Sequence, residues 1–358
     1  MQMNGGRALT AWHTSFSRNN PYHRLLAGGL EASGVSVRGL PSSVWLLPRM
    51  RGWRRGDVLH LHWLEKLHRG RSRSSTLAKT AALLIQLWWL RMRGVKMVWT
   101  LHNLDAHESS WPRLERWAQR WVARRCDRVL AHCGHAKREF LARCELKPSR
   151  VTVVPHGNYI GAYPPGPGRA AAREMLGLAE TAFVVLFLGE LRGYKGVEDL
   201  IGAFAAVRGD DLVLVVAGRP ASSEVDQRLV EAASADPRVA YRPGFVADDE
   251  LVGLLDAADV MCLPFRRVLT SGSMILAMSH GLPIVTRAAG CLPETGRAPG
   301  VFFFGGDTGR SLREALVEAY ERRTILPLLG AKAKAKAARW RWDRIGRRMA
   351  SLYRGSLR

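Results

Sequence analysis

The segment Phe187-Leu-Gly-Glu-Leu-Arg-Gly-Tyr-Lys-Gly-Val-Glu-Asp-Leu-Ile-Gly-Ala-Phe204 places two cations, Arg192 and Lys195, in a glycine-bounded loop between an apolar run and a helix-like stretch. A helix start offers free backbone N–H groups, and two cations beside it can hold a diphosphate. The same groups would stabilise the charge that develops on a departing diphosphate. Downstream, Thr270-Ser-Gly-Ser273 brings small hydroxyl residues to a second helix start, where they could reach the same anion. In the first half, His102, Asn103, Asp105, His107 and Glu108 crowd the segment Trp99 to Glu108. A histidine or carboxylate at the C-terminal end of a strand could take the proton of an attacking hydroxyl. The same side chains could instead cap the next helix or bond to one another.

Such loops need strands and helices to hold them. Short β-branched runs alternate with helix-like stretches through the chain, the order expected of parallel α/β sheets. Strands are expected at Asp57–Trp63, Val95–His102, Arg128–His132 and Val151–Val154, with helices at Leu77–Arg93 and Arg113–Cys126. After the turn cluster Pro155-His-Gly-Asn158 and the run Tyr163-Pro-Pro-Gly-Pro-Gly168 the alternation restarts, which marks a hinge. Strands follow at Phe183–Leu188, Leu212–Ala217, Val239–Tyr241, Val260–Leu263, Pro283–Val285 and Val301–Phe304. Two doubly wound α/β domains are expected, over residues 1–155 and 156–330, followed by a basic helix-favouring tail over 331–358.

At 358 residues and 47% hydrophobic, the chain is long and apolar enough for two packed cores, which excludes a disordered protein. The five cysteines are scattered without the paired spacing of a zinc site. The longest apolar run, Leu77 to Leu90, is shorter than the roughly 20 residues that span a bilayer. With no signal-peptide-like run over Met1 to Ser15, a cytoplasmic location is expected. Charge is unevenly placed. Residues 1–155 carry 27 basic against 9 acidic side chains, residues 156–331 carry 17 against 21, and residues 332–358 carry 10 against 1. A cationic first half and tail suit a polyanion, either an anionic membrane or nucleic acid. No nucleic-acid-binding motif accompanies the charge, so no specific nucleic-acid partner is expected.

The Phe187–Phe204 segment resembles the first strand, loop and helix of the donor domain in GT-B glycosyltransferases, especially those of family 4. Three further segments occur in the family's order: Val215-Val-Ala-Gly-Arg-Pro220, then Arg242-Pro-Gly-Phe-Val246 with Glu250–Val260 and Leu263-Pro-Phe265, and then Leu269 to Val285. The resemblance implies a nucleotide-sugar site formed by Arg192, Lys195, Gly218, Arg219, Phe245, Val246, Thr270, Ser271, Gly272 and Ser273. In the first domain, Trp99 to Glu108 resembles the strand end whose histidine, here His102, faces the donor sugar. Asp105, His107 and Glu108 are the other catalytic candidates. His13, Asn20, Tyr22 and His62 resemble acceptor-side positions, although buried aromatic or histidine side chains would serve a core equally well. Val268 and Leu276 stand where the family usually has two glutamates, which turns the expectation from retention toward inversion.

The resulting expectation is a glycosyltransferase without a metal or cofactor, its donor first sought as GDP-mannose. Its acceptor would be a glycolipid or polysaccharide chain at the inner face of the cell membrane, and its work exopolysaccharide assembly. The competing classes are a GT-B-like protein that binds donor without transfer and a nucleic-acid-binding protein. Turnover of a sugar nucleotide separates the first reading from both.

Overall fold

The computed structural model describes residues 9–104 and 111–355, which form two compact units. One comprises residues up to Gly157 together with the chain from Trp340 onward; the other runs from Asn158 to Arg339.

In the first unit the elements are β1 (Leu9–His13), α1 (Pro21–Glu31), β2 (Val35–Gly39), β3 (Val58–Leu61), α2 (Glu65–His68), α3 (Arg73–Met92), β4 (Lys96–Leu101), α4 (Pro112–Arg125), β5 (Arg128–Ala131), α5 (Gly134–Cys144) and β6 (Val151–Val153). The strands form one parallel sheet in the order β2-β1-β3-β4-β5-β6. Both faces of such a sheet are covered by crossover helices, so strands such as Val58–Leu61 are buried at every position.

The second unit contains α6 (Arg169–Leu176), β7 (Phe183–Leu188), α7 (Val197–Ala205), β8 (Leu212–Gly218), α8 (Ser223–Ser234), β9 (Val239–Pro243), α9 (Asp248–Ala257), β10 (Val260–Leu263), α10 (Gly272–His280), β11 (Ile284–Arg287), α11 (Leu292–Thr295), β12 (Val301–Phe304), α12 (Leu312–Glu321) and α13 (Leu326–Ala337). Its parallel sheet runs β12-β11-β10-β7-β8-β9. This is the doubly wound order, with the switch between β7 and β10. Phe187, Leu200, Phe204, Leu214 and Val216 centre its core, each almost wholly buried.

The final helix, α14 (Trp342–Arg354), belongs to the first unit. Its buried residues Ile345, Met349, Leu352 and Tyr353 recur at helical spacing. They join Tyr22, Leu26 and Leu30 of α1 in one core. The two helices touch at glycines. A Cβ on Gly29 would lie 2.4 Å from the Trp342 carbonyl oxygen, and one on Gly346 would lie 2.1 Å from that of Gly29. The basic segment expected as one tail from residue 331 is in fact divided: α13 ends at Ala337 in the second unit and α14 begins at Trp342 in the first.

Candidate active site

In an open α/β sheet, ligands bind beyond the C-terminal strand ends where the strand order reverses. In the second unit, β7 ends at Leu188 and Gly189 follows with φ +144°, a conformation that L side chains rarely adopt. Gly218 ends neighbouring β8 with φ +147°, and a Cβ there would lie 1.9 Å from the Gly189 carbonyl oxygen. Only two glycines let these turns pack this closely. Lys195 reaches back into them: its Nζ lies 3.3 Å from where a Gly189 Cβ would stand, and Ser273 Oγ lies 3.7 Å from the same point. The ammonium also sits 5.7 Å from the centre of the Phe265 ring, just beyond β10. Burial, partly offset by the charge of Glu190, lowers the Lys195 ammonium to about 8.

Glu190 is the residue that sequence reasoning missed here. One carboxylate oxygen accepts from Arg192 Nε at 3.0 Å and the other lies 3.7 Å from Arg219 Nη2. Burial would raise its pKa, but the Arg192 hydrogen bond and the nearby cations hold it below the usual carboxylate range. Its place beside Gly189 was visible in the sequence; its ion pair with Arg219, across neighbouring strands, was not. Ser271 caps α10 by accepting from Met274 N at 3.1 Å, and Gly272 and Ser273 open the helix. Lys195, Ser273 and the glycine turns are thus brought together, with Glu190, Arg192 and Arg219 on one charged rim. Arg219 is largely exposed and Phe245 is 80% exposed, so neither is packed into these turns. Val246 and Thr270 are half-buried. Leu276, in place of a carboxylate, lines a pocket of about 390 Å³ with Tyr159, His280 and Lys334.

In the first unit the switch lies between β1 and β3, and histidines fill its C-terminal side. His13 ends β1, His60 lies in β3, His62 follows it, and His102 follows β4. With His23, His132 and His156 they form a continuous chain of ring contacts, with centroids 4.1 to 5.4 Å apart. His62 Nδ1 and His102 Nε2 share a hydrogen bond of 3.0 Å. The Trp63 indole stacks on His102 at 3.9 Å and 5°. Trp63 holds its backbone at φ +43°, and Ser15, two residues after β1, is at +52°. Such strain in non-glycine residues gathers where structure serves a site.

Burial drives every imidazole in this chain toward neutrality: His13 and His156 to about 3, His23 and His132 to about 4, and His60, His62 and His102 well below the ordinary value. Mutual repulsion between histidines adds to the effect for His60, His62 and His102. Neutral imidazoles can accept a proton or a hydrogen bond. The partner that sequence reasoning missed is Tyr353 of α14, whose hydroxyl lies 2.5 Å from His60 Nδ1 and 3.3 Å from His13 Nε2. No local signal links it to residues 293 and 340 positions earlier.

Of the acceptor-side candidates, His13, His62 and Tyr22 are buried, and Asn20 caps α1 by accepting from Tyr22 N at 3.0 Å. Asp105, His107 and Glu108 lie outside the described residues. Among the described residues, His13, His60 and His62 have the spacing for metal ligation, with ring nitrogens within 4.8 Å of one another. Ligation by His60 would break a bond to Tyr353 or to Thr100, since its Nε2 already meets Thr100 Oγ1 at 2.7 Å.

Comparison with known proteins decides the class. The family described as Glycosyltransferase Family 4 matches residues 14–158, and that described as Glycosyl transferases group 1 matches residues 182–322. The chain belongs to the GT-B glycosyltransferases and is family 4-like. It is an enzyme of hexosyl transfer. A GDP-mannose:glycolipid 4-beta-D-mannosyltransferase of Xanthomonas campestris pv. campestris is 29% identical over 273 residues, covering 74% of this chain and 71% of the relative. A D-inositol 3-phosphate glycosyltransferase of Salinispora tropica is 29% identical over 299 residues, covering 75% of this chain and 61% of the relative. The fold is shared with a sucrose-phosphate synthase from Thermosynechococcus elongatus, with TM-score 0.73, 19% identity and coverage of 98% of this chain and 99% of that one. It is shared equally with HepE of Anabaena in complex with UDP, with TM-score 0.73, 16% identity and coverage of 97% and 100%.

Proposed function

We propose that the enzyme transfers mannose from GDP-mannose to a lipid-linked or glycan acceptor at the inner face of the cell membrane, with inversion at the anomeric carbon and without a metal ion. The observation that carries the reading is the half-buried Lys195, whose ammonium approaches the Gly189 turn beside Ser273 at the α10 start. A cation and a helix start at one point suit a nucleoside diphosphate, as substrate and as leaving group. Arg192 and Arg219 add positive charge on the rim, which takes the role that a metal ion would otherwise fill. The mannose and glycolipid assignments are supported by the Xanthomonas relative, whose name specifies both.

In the proposed reaction the acceptor hydroxyl oxygen bonds to the anomeric carbon as the bond from that carbon to the diphosphate oxygen breaks. GDP leaves with the bonding pair and a base takes the hydroxyl proton. His102 is one candidate base: burial keeps it neutral, and the His62 hydrogen bond and Trp63 stack fix its ring. Asp105, His107 and Glu108 are the others. Val268 and Leu276 supply no carboxylate, which favours inversion.

The test is to incubate purified enzyme with GDP-mannose, UDP-glucose or dTDP-sugars and a bacterial lipid extract, with and without EDTA, and to determine the anomeric configuration of any product. EDTA-resistant transfer from GDP-mannose to a lipid-soluble product with inverted configuration is expected. Transfer from another donor only, loss of activity in EDTA, or a retained configuration overturns the corresponding part of the proposal.

A further inference from the structure

Helix α3 buries Leu83, Leu84, Leu87 and Leu90 against the first unit. Its opposite face should be polar, as on most surface helices. It instead carries Ala78, Ala81, Ile85, Trp88 and Met92, all exposed and spaced alternately three and four residues apart. Ile85 is 64% exposed, Trp88 50% and Met92 68%. The result is an unbroken apolar line about 21 Å long.

Both flanks continue it. On one side, Gln86 Oε1 accepts from Leu46 N and Leu47 N while its Nε2 donates to the Val44 carbonyl oxygen, which lays that loop along α3 and leaves Trp45 56% exposed. The exposed guanidinium-bearing residues Arg49, Arg54 and Arg55 belong to the same loop region. On the other side, Leu77, Trp111, Pro112 and Leu114 line an open apolar pocket of about 500 Å³ rimmed by Arg73 and Arg113. Trp117 of α4 is 54% exposed, between Arg116 and Arg120. Six of the 12 large apolar side chains left exposed among the described residues therefore belong to α3, to the loop that Gln86 holds along it, or to α4. Nearby carboxylates do little to balance its charge: Glu115 is buried, and Asp127 is held by Arg91 at 2.8 Å.

We propose that this face of the first unit is a docking surface for an anionic phospholipid bilayer. Ile85, Trp88 and Met92 would enter the interface, the tryptophans would settle at headgroup depth, and the surrounding arginines would reach lipid phosphates. A nucleic acid is a poorer occupant, because the central line offers no cation or hydrogen bond to a phosphate backbone. A second copy of the chain would bring two arginine-rich fringes together. The helix lies on the surface, since no described helix is long and apolar enough to cross a membrane. The inference rests on the membrane location proposed above; its failure would remove that location and leave the sugar-transfer chemistry, tested separately by donor turnover, standing.

The test is flotation of the full chain with vesicles of phosphatidylcholine alone or with phosphatidylglycerol, alongside Ile85→Ser/Trp88→Ser/Met92→Ser and Arg49→Glu/Arg54→Glu. Wild type is expected to float with the anionic vesicles and not with neutral ones, less so as salt rises. The triple variant is expected to lower lipid partitioning at least about tenfold at unchanged melting temperature and nucleotide response. The arginine variant is expected to weaken binding several-fold at low salt. Brominated phosphatidylglycerol vesicles should quench wild-type tryptophan emission, a readout that needs no variant. Equal flotation of wild type and triple variant, absence of quenching, or wild-type binding to duplex DNA with none to anionic vesicles would overturn the proposal.

Discussion

The two sheets share six parallel strands and a switch point, yet finish their C-terminal ends with opposite chemistry. The first unit closes its switch with buried, neutral imidazoles; the second keeps glycine turns beside a cation and a charged rim. Seven of the chain's 11 histidines stand in the first cluster, whereas the second unit has one, His280, paired with Asp256 at 2.9 Å. One fold can therefore present packed neutral imidazoles at one switch point and a cation beside glycine turns at the other. What differs is the residues placed at the strand ends, where backbone geometry already points outward.

The sharpest way to break this comparison is acid. A histidine whose folded pKa lies below its unfolded value gives a native state that binds fewer protons than the unfolded chain, so stability is intact above the unfolded value and falls as pH drops toward the folded one. With folded values near 3 to 4 for His13, His23, His132 and His156, the window runs from about pH 6.5 down to about 3. Each excess proton would cost about 1.4 kcal/mol of stability per pH unit within that window. Hydrogen exchange should show the first unit opening before the second; simultaneous opening would remove the distinction.

Lys195→Ala should lower kcat/KM about 10² to 10³-fold, the usual cost of removing one group that stabilises developing negative charge. A loss below about threefold would show that the ammonium does not face the diphosphate. Tyr353→Phe removes the hydroxyl between His60 and His13 and should destabilise the first unit by about 1 to 3 kcal/mol in denaturant unfolding. An unchanged midpoint would mean that the hydroxyl contributes nothing there. Because the Lys195 ammonium is lowered to about 8, its charge is fully present below that pH and lost above it. GDP affinity should therefore weaken above about pH 8, and Lys195→Arg should flatten the profile up to pH 10. The smallest effect is expected from Glu190→Gln, which removes the carboxylate charge beside Arg192 and Arg219 and should tighten GDP binding by a few-fold in calorimetry; weaker binding would make Glu190 a donor contact instead.

Much of this was legible in the residues. The β-branched runs place most strands within a residue or two, because a parallel strand buried on both faces must be apolar throughout. The loop around Lys195 was readable because glycines, cations and a helix start fall within ten residues. The first strand and helix were harder: Leu9–His13 is short and carries Thr10 and His13, which look polar but are buried. Alternating lysines and alanines made the tail look like one helix, yet it breaks before Trp342, which opens the α14 helix packed on Gly29. The bonds from Tyr353 to His60 and His13, and the ion pair of Glu190 with Arg219, depend on topology rather than spacing. No local pattern could have announced them.

The central claim is that the second unit grips a nucleoside diphosphate through Lys195. It is tested most directly by thermal unfolding of wild type and Lys195→Ala with GDP, UDP or dTDP. A stabilisation by GDP in wild type that disappears in the variant is the predicted result. Stabilisation by no nucleotide, or an equal shift in both proteins, would contradict it.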